Sequence, residues 1–137
     1  LTKLRDCQGR VEDDLPPVAI DGLLMQQVLT NLLDNAAKFS PSGSSIGLNC
    51  RSEGSRLLLE VTDQGPGFPT GKENHIFEKF YRVEGVSRAG SGIGLAICRA
   101  IVRLHDGQIT AENRPGGGAL FRISLPLAND ATLLSET

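Results

Sequence analysis

Between Asp21 and Phe39 the apolar residues Met25, Leu29, Leu32, Ala36 and Phe39 step by four and three, which places them on one face of a helix. That face is expected to be core. Gln27, Asn31, Asn35 and Lys38 form a second, polar row about 100° around the same helix. Asparagine is a poor helix-interior residue because its amide competes for the backbone. Two asparagines one turn apart, ending in a lysine, therefore read either as a solvated surface or as amides held up to a ligand. Asp21 stands before the first turn as an N-cap, and Ser40-Pro41-Ser42-Gly43 ends the helix.

Around this helix the chain predicts a small α/β domain. A strand is expected at 10–15 and Pro16-Pro17 stops it. Period-2 segments at Ile46–Cys50 and Leu57–Val61 are joined through Glu53-Gly54-Ser55 as a hairpin. Residues 68–92 read as loop, apart from about one helical turn at 76–80, and a loop of that length inside a compact domain usually serves binding. A second helix spans Gly94 to His105, apolar around most of its circumference, with Gly107 just past its end. Strands follow at 108–113 and 119–125, joined by Arg114-Pro115-Gly116-Gly117-Gly118. Residues 1–9 read as the end of an upstream linker or helix, 10–127 as the domain and 128–137 as a loose tail. The expected architecture is a two-layer α/β sandwich, with a mixed sheet of about five strands covered on one face by helices.

A chain of 137 residues is large enough to hold a core without staples. A formal charge of −2 gives no electrostatic footprint for nucleic acid or an anionic membrane. Cys7, Cys50 and Cys98 lack metal-ligand spacing and read as thiols of a reducing compartment. No apolar run is long enough to span a bilayer. The chain opens in Leu-Thr-Lys-Leu without an initiator Met, as a piece of a longer protein would.

Two glycine-rich stretches carry chemistry. Asp63-Gln64-Gly65-Pro66-Gly67 follows a strand. Its carboxylate is acceptor-only and so matches an exocyclic amine such as that of adenine, while Gly65 and Gly67 let a flat ring approach the backbone. A plain Asp-Gly turn is the alternative. Gly90-Ser91-Gly92-Ile93-Gly94-Leu95 opens the second helix, where exposed N–H groups and the helix dipole favour phosphate oxygens. No Lys-Ser or Lys-Thr follows, as a Walker-type loop requires. Between them, Phe77 and Phe80 lie three apart, either to clip the loop to the domain or as core anchors, and Arg82 and Arg88 stand among small residues within reach of a phosphate.

In this order and over roughly 10–127, the chain resembles the catalytic, ATP-binding domain of sensor histidine kinases, within the Bergerat-type ATPase/kinase superfamily. Residues 27–39 resemble the N box, 63–67 the G1 box, 76–80 the F box, 90–95 the G2 box and 115–121 a variant of the last glycine box. The helix from Gly94 and the strands with Asn113-Arg114-Pro115 look most like the potassium-responsive branch, although Asp106 stands where a second glycine often follows the histidine.

The resemblance implies that Asn35, with Asn31, orients Mg²⁺ on the nucleotide phosphates, that Lys38 contacts phosphate, that Asp63 reads adenine and that 81–91 form an ATP lid. Partners would be ATP, a dimerisation domain bearing the phosphoacceptor histidine, and a response regulator. No nucleic acid and no direct membrane contact are expected, in a cytoplasmic domain of an inner-membrane sensor. Relatives that hydrolyse ATP, and anti-sigma serine kinases, generally place Glu one turn before the metal-binding Asn; here that position is Asn31, which has no useful basicity. An anti-sigma-type serine kinase or a degenerate nucleotide-binding contact module are the alternatives. Neither His75 nor His105 has the context of a phosphoacceptor, so the receiving histidine is expected outside this chain.

Overall fold

The computed structural model describes the backbone of residues 6–11 and, in full, residues 18–69, 71, 73, 75–78 and 93–127. Its sheet has five strands, β1 (Asp6–Val11), β2 (Ser45–Glu53), β3 (Arg56–Thr62), β4 (Gln108–Asn113) and β5 (Ala119–Pro126), in the order β1-β2-β3-β5-β4. β1 runs parallel to β2 and the other pairs are antiparallel. Helices α1 (Gly22–Phe39) and α2 (Gly94–Leu104) pack against each other and on one face of this sheet, giving the expected mixed two-layer sandwich.

The first strand lies earlier than 10–15. Asp6 pairs with Ser45 and Val11 with Cys50, so residues 6–9, expected to belong to an upstream segment, are part of the sheet. Parallel pairing with a distant strand determines this position, and local alternation carries no trace of it. The β2–β3 hairpin closes through Gly54-Ser55, with Glu53 opposite Arg56.

In α1 the buried residues are Met25, Val28, Leu32 and Ala36. The core line thus runs through Val28, and Leu29 and Phe39 are half-buried at its border. Asp21 caps the helix, its Oδ1 accepting the Leu24 N–H at 3.1 Å. In α2, Cys98, Ile101 and Val102 are buried, whereas Ile97 and Leu104 are exposed although the sequence is apolar all round. His105 joins the two helices: its Nε2 accepts the Asp21 N–H at 2.9 Å, and its Nδ1 lies 2.8 Å from the Ile101 carbonyl. The ring therefore donates from Nδ1 and accepts at Nε2.

On the inner face of the sheet Ile46, Leu57, Val61, Ile109, Ala111, Phe121, Ile123 and Leu125 meet the helices. The outer face is not simply solvated. Leu58 and Glu60 are buried there, and the Glu60 carboxylate receives Arg51 Nη1 at 2.6 Å and Arg122 Nε at 2.7 Å. Burial opposes ionisation of Glu60, but these two charge-assisted bonds outweigh it and hold the carboxyl below its ordinary value.

Candidate nucleotide site

The end of α1 and the segment that leaves β3 meet where Gly65 approaches the Phe39 carbonyl. Asn31 and Asn35 are half-buried, and Gln27 and Lys38 exposed. The Asn31 side chain reaches the Cys98 thiol on α2, whose Sγ also lies 3.7 Å from the Val28 carbonyl. Burial pushes that thiol up to about 11 despite the Asn31 contact, so Cys98 is a neutral packing residue. The Asn35 side chain makes no hydrogen bond to the described residues, and Lys38 sits in the last turn, where a cation suits the helix dipole.

Asp63 follows β3 and is only 4% exposed. Its N–H donates to the Ala119 carbonyl at 3.0 Å, extending the β3–β5 pairing by one residue. Its Oδ1 accepts the N–H groups of Gly65 at 2.8 Å and Ala119 at 3.2 Å. Oδ2 receives no donor from the described residues. Burial raises the Asp63 pKa, opposed by the Gly65 and Ala119 amides and the nearby Arg114 charge, and the net displacement is upward.

Glycines allow the close contacts here. A side chain at Gly65 would run into the Phe39 carbonyl at the end of α1, so this glycine lets the loop abut the helix that carries Asn35. Gly118, at φ +98°, lies against the Asp63 carbonyl, where any Cβ would collide. The β4–β5 turn is thus pressed onto the Asp63 loop.

Phe77 ends a short 3-10 turn at His75–Phe77 and is 1% exposed. It packs edge-on against Phe121, with centroids 6.1 Å apart, and the Arg99 guanidinium lies 6.0 Å from its ring centre. Of the two roles open to it from sequence, this is the core anchor; it offers no ring face to a ligand. Gly94 begins α2 with open space around it, and Leu95 is half-buried against the core. Ile93, at the N-cap of α2, makes no side-chain capping bond of its own. Phe80, Arg82, Arg88, Gly90 and Gly92 lie outside the described residues, as does all of 81–91.

Asn113 and Arg114, which the sequence did not single out as site residues, turn out to hold the Asp63 loop. Arg114 Nη1 donates to the Asp63 carbonyl at 2.9 Å, and Asn113 bonds the Phe68 backbone. The run of three glycines after Arg114 was the available signal, since it marks a turn able to approach another backbone closely.

Comparison with known proteins agrees with this geometry. The profile of the family described as histidine kinase-, DNA gyrase B- and HSP90-like ATPase matches residues 20–129. The sensor protein KdpD of Escherichia coli is 50% identical over 115 residues, which is 83% of this chain but 13% of KdpD. The chain therefore spans a small part of such a relative. Among solved structures, a mycobacterial sensor histidine kinase, MprB, superposes with a TM-score of 0.78 at 33% identity, covering 90% of this chain and 82% of that one. Full-length ShkA in complex with AMPPNP superposes with a TM-score of 0.80 at 29% identity, over 93% of this chain and 26% of ShkA. An Asp-bearing loop closed onto an Asn-bearing helix, in this sheet order and with these relatives, makes the chain a member of the histidine kinase-, DNA gyrase B- and HSP90-like ATPase family, on its sensor histidine kinase branch.

Proposed function

We propose that this chain binds Mg-ATP and presents its γ-phosphoryl group to a histidine on a dimerisation domain of the parent kinase, for relay to a response-regulator aspartate. The observation that carries the reading is the division of labour at Asp63: Oδ1 is spent on the Gly65 and Ala119 N–H groups and Oδ2 is left to accept. An adenine 6-amino group donates to such an oxygen, and the guanine carbonyl is repelled by it. The AMPPNP of the ShkA complex is a nucleotide of the corresponding class.

The phosphate end falls to α1 and α2. No cluster of three or more His, Cys, Asp or Glu able to hold a metal occurs among the described residues. The donor set nevertheless fits Mg²⁺ arriving with nucleotide, because the ion favours oxygen ligands, keeps several waters and needs only one or two protein atoms. Asn35, with Asn31, would supply amide oxygens. Bound there, the ion would offset phosphate charge. Lys38 contacts phosphate, and the N-terminus of α2 at Gly94 and Leu95 provides N–H donors. Gly90, Gly92, Arg82 and Arg88 complete that end in the proposed lid, 81–91, which Phe80 precedes and the buried Phe77 anchors to the core. Catalysis by such a domain is positioning and electrostatics; Asn31 supplies no base, and an imidazole acceptor needs none from it.

No helix among the described residues is long and apolar enough to cross a membrane. In this reading the domain is the cytoplasmic portion of a potassium-responsive, membrane-anchored sensor. Calorimetric titration with a non-hydrolysable ATP analogue, with and without Mg²⁺ and against GTP, tests it. Adenine-selective binding with a Kd on the order of micromolar to sub-millimolar is expected, weakened at least about tenfold in Asn35→Ala at unchanged thermal midpoint. Equal binding of GTP, or wild-type affinity in Asn35→Ala, would refute these assignments.

A further inference from the structure

The loop from Asp63 to Phe68 contains two glycines and a proline, and its interior residues have no strand partner. Beyond the Gly65 N–H on Asp63 Oδ1, its shape is imposed from outside. Both ends are gripped by two adjacent residues far away in sequence, Asn113 at the end of β4 and Arg114 at the start of the β4–β5 turn. At one end Arg114 Nη1 donates to the Asp63 carbonyl at 2.9 Å across 51 residues. At the other, Asn113 Oδ1 accepts the Phe68 N–H at 2.7 Å while its Nδ2 donates to the Phe68 carbonyl at 3.0 Å. The amide of Asn113 thus does what a neighbouring strand would do, satisfying both polar groups of one residue. The turn is itself braced: the Arg114 N–H donates to the Gly118 carbonyl at 2.9 Å, and the Gly117 N–H to the Arg114 carbonyl at 3.1 Å. The Phe68 ring then packs edge-on to Phe121, 5.7 Å between centroids.

We propose that Asn113 and Arg114 are positioning residues for base selection, clamping the Asp63–Phe68 loop from both ends so that Asp63 Oδ2 meets an adenine amine, although neither side chain touches the base. The inference rests on the nucleotide reading above. Asn113 is suited by being donor and acceptor at once. In Asn113→Asp the acceptor for the Phe68 N–H is kept, but a second oxygen faces the Phe68 carbonyl. Arg114 adds a charge role: among the described residues it is the only charged group facing Asp63, whose other partners are the Gly65 and Ala119 amides.

The test uses the whole 137-residue chain, titrated with ADP, an ATP analogue and GTP. Asn113→Asp and Asn113→Ala should weaken ADP by about tenfold and narrow the preference for ATP over GTP. Binding of inorganic tripolyphosphate should stay unchanged. Without nucleotide, the Gly65 and Phe68 amides should exchange faster in both variants. Arg114→Gln should move the acid limit of ATP binding to higher pH, and Arg114→Lys should move it back. Folded variants with wild-type affinity and preference would overturn the clamp while leaving the nucleotide site standing, as would an equal loss for ATP, GTP and tripolyphosphate. Absence of adenine selectivity in the wild-type chain would overturn the nucleotide reading itself, and the clamp with it. Should Asn113→Ala not fold, Asn113→Asp and the exchange measurement decide alone.

Discussion

Asp63 is a buried carboxyl that its surroundings would rather keep neutral. Desolvation raises its pKa, and the Gly65, Ala119 and Arg114 contacts recover only part of that. A carboxyl with a raised folded pKa favours folding fully below its ordinary value and loses that contribution as pH rises through the folded value. Wherever Asp63 is ionised it therefore costs stability, a cost that makes sense in a residue kept as an acceptor. Asp63→Asn should fold with an equal or higher thermal midpoint at pH 7. That advantage should vanish in acid, where wild-type Asp63 is itself neutral. Adenine-nucleotide affinity should drop at least about tenfold, because one oxygen becomes or competes with an NH₂ donor. Thermal scans across pH 4–7 and a calorimetric titration of the same protein check both halves. A lower midpoint at pH 7 with intact nucleotide binding would contradict the reading of Asp63 as strained for function.

At the scale of the element, the end of α2 is informative. The helix was expected to stop at Gly107, but the left-handed residue is Asp106, at φ 59°. The Gly107 N–H donates to the Val102 carbonyl and the Asp106 N–H to the Arg103 carbonyl, both at 3.0 Å, which is a Schellman closure with Asp106 at the position usually given to glycine. Aspartate tolerates this conformation at a cost that glycine avoids. Gly107 is held instead by the backbone of β5, since a side chain would meet the Ser124 carbonyl. Asp106→Gly should then stabilise the chain by about 0.5–1 kcal/mol, raising the thermal midpoint by roughly 2–4 °C. Urea unfolding measures it, and a loss of stability would show that the Asp106 side chain makes a contact worth more than the strain. One residue before Asp106 the same closure positions His105, whose Nε2 ties the start of α1 to the end of α2 across 84 residues. The histidine read from sequence as a helix-end residue is also the joint between the two helices that carry the candidate site.

Across the whole molecule, Glu60 links the sheet. It lies on β3 and binds Arg51 of β2 and Arg122 of β5, and Arg122 also reaches Glu112 of β4 at 3.5 Å. Its lowered pKa means that it contributes stability above the ordinary carboxyl value and loses it as pH falls through the folded value. Glu60→Gln leaves two partly exposed arginines without their charge partner and should cost about 1–3 kcal/mol at pH 7. In urea titrations the gap between variant and wild type should close as the medium is made acidic. A gap that persists at pH 3 would mean that shape, not charge, is what Glu60 contributes.

Periodicity alone placed α1 and its cap at Asp21, α2, the β2–β3 hairpin and the last two strands, because 3.6-residue and 2-residue patterns, caps and glycine turns are local and each residue carries its own part of the signal. The ordered motifs, from the asparagine row through Asp63 to the glycines before α2, were enough to indicate a nucleotide site and the family resemblance. What the sequence could not contain was anything depending on which distant backbone lies alongside. β1 at Asp6–Val11 exists because β2 offers it a parallel edge. Val28 replaces Leu29 in the core, Ile97 and Leu104 stay outside, and Leu58 and Glu60 are buried, because tertiary neighbours, not hydrophobicity, determine which side of a stripe is covered. For Asn113 and Arg114 the glycine run beside them marks a close-approaching turn but not what these side chains hold, since their partners are 45 and 51 residues away. Local chemistry determined the elements and the reactive groups they bear; only the packing of elements far apart in the chain decided which side chains hold those groups in place.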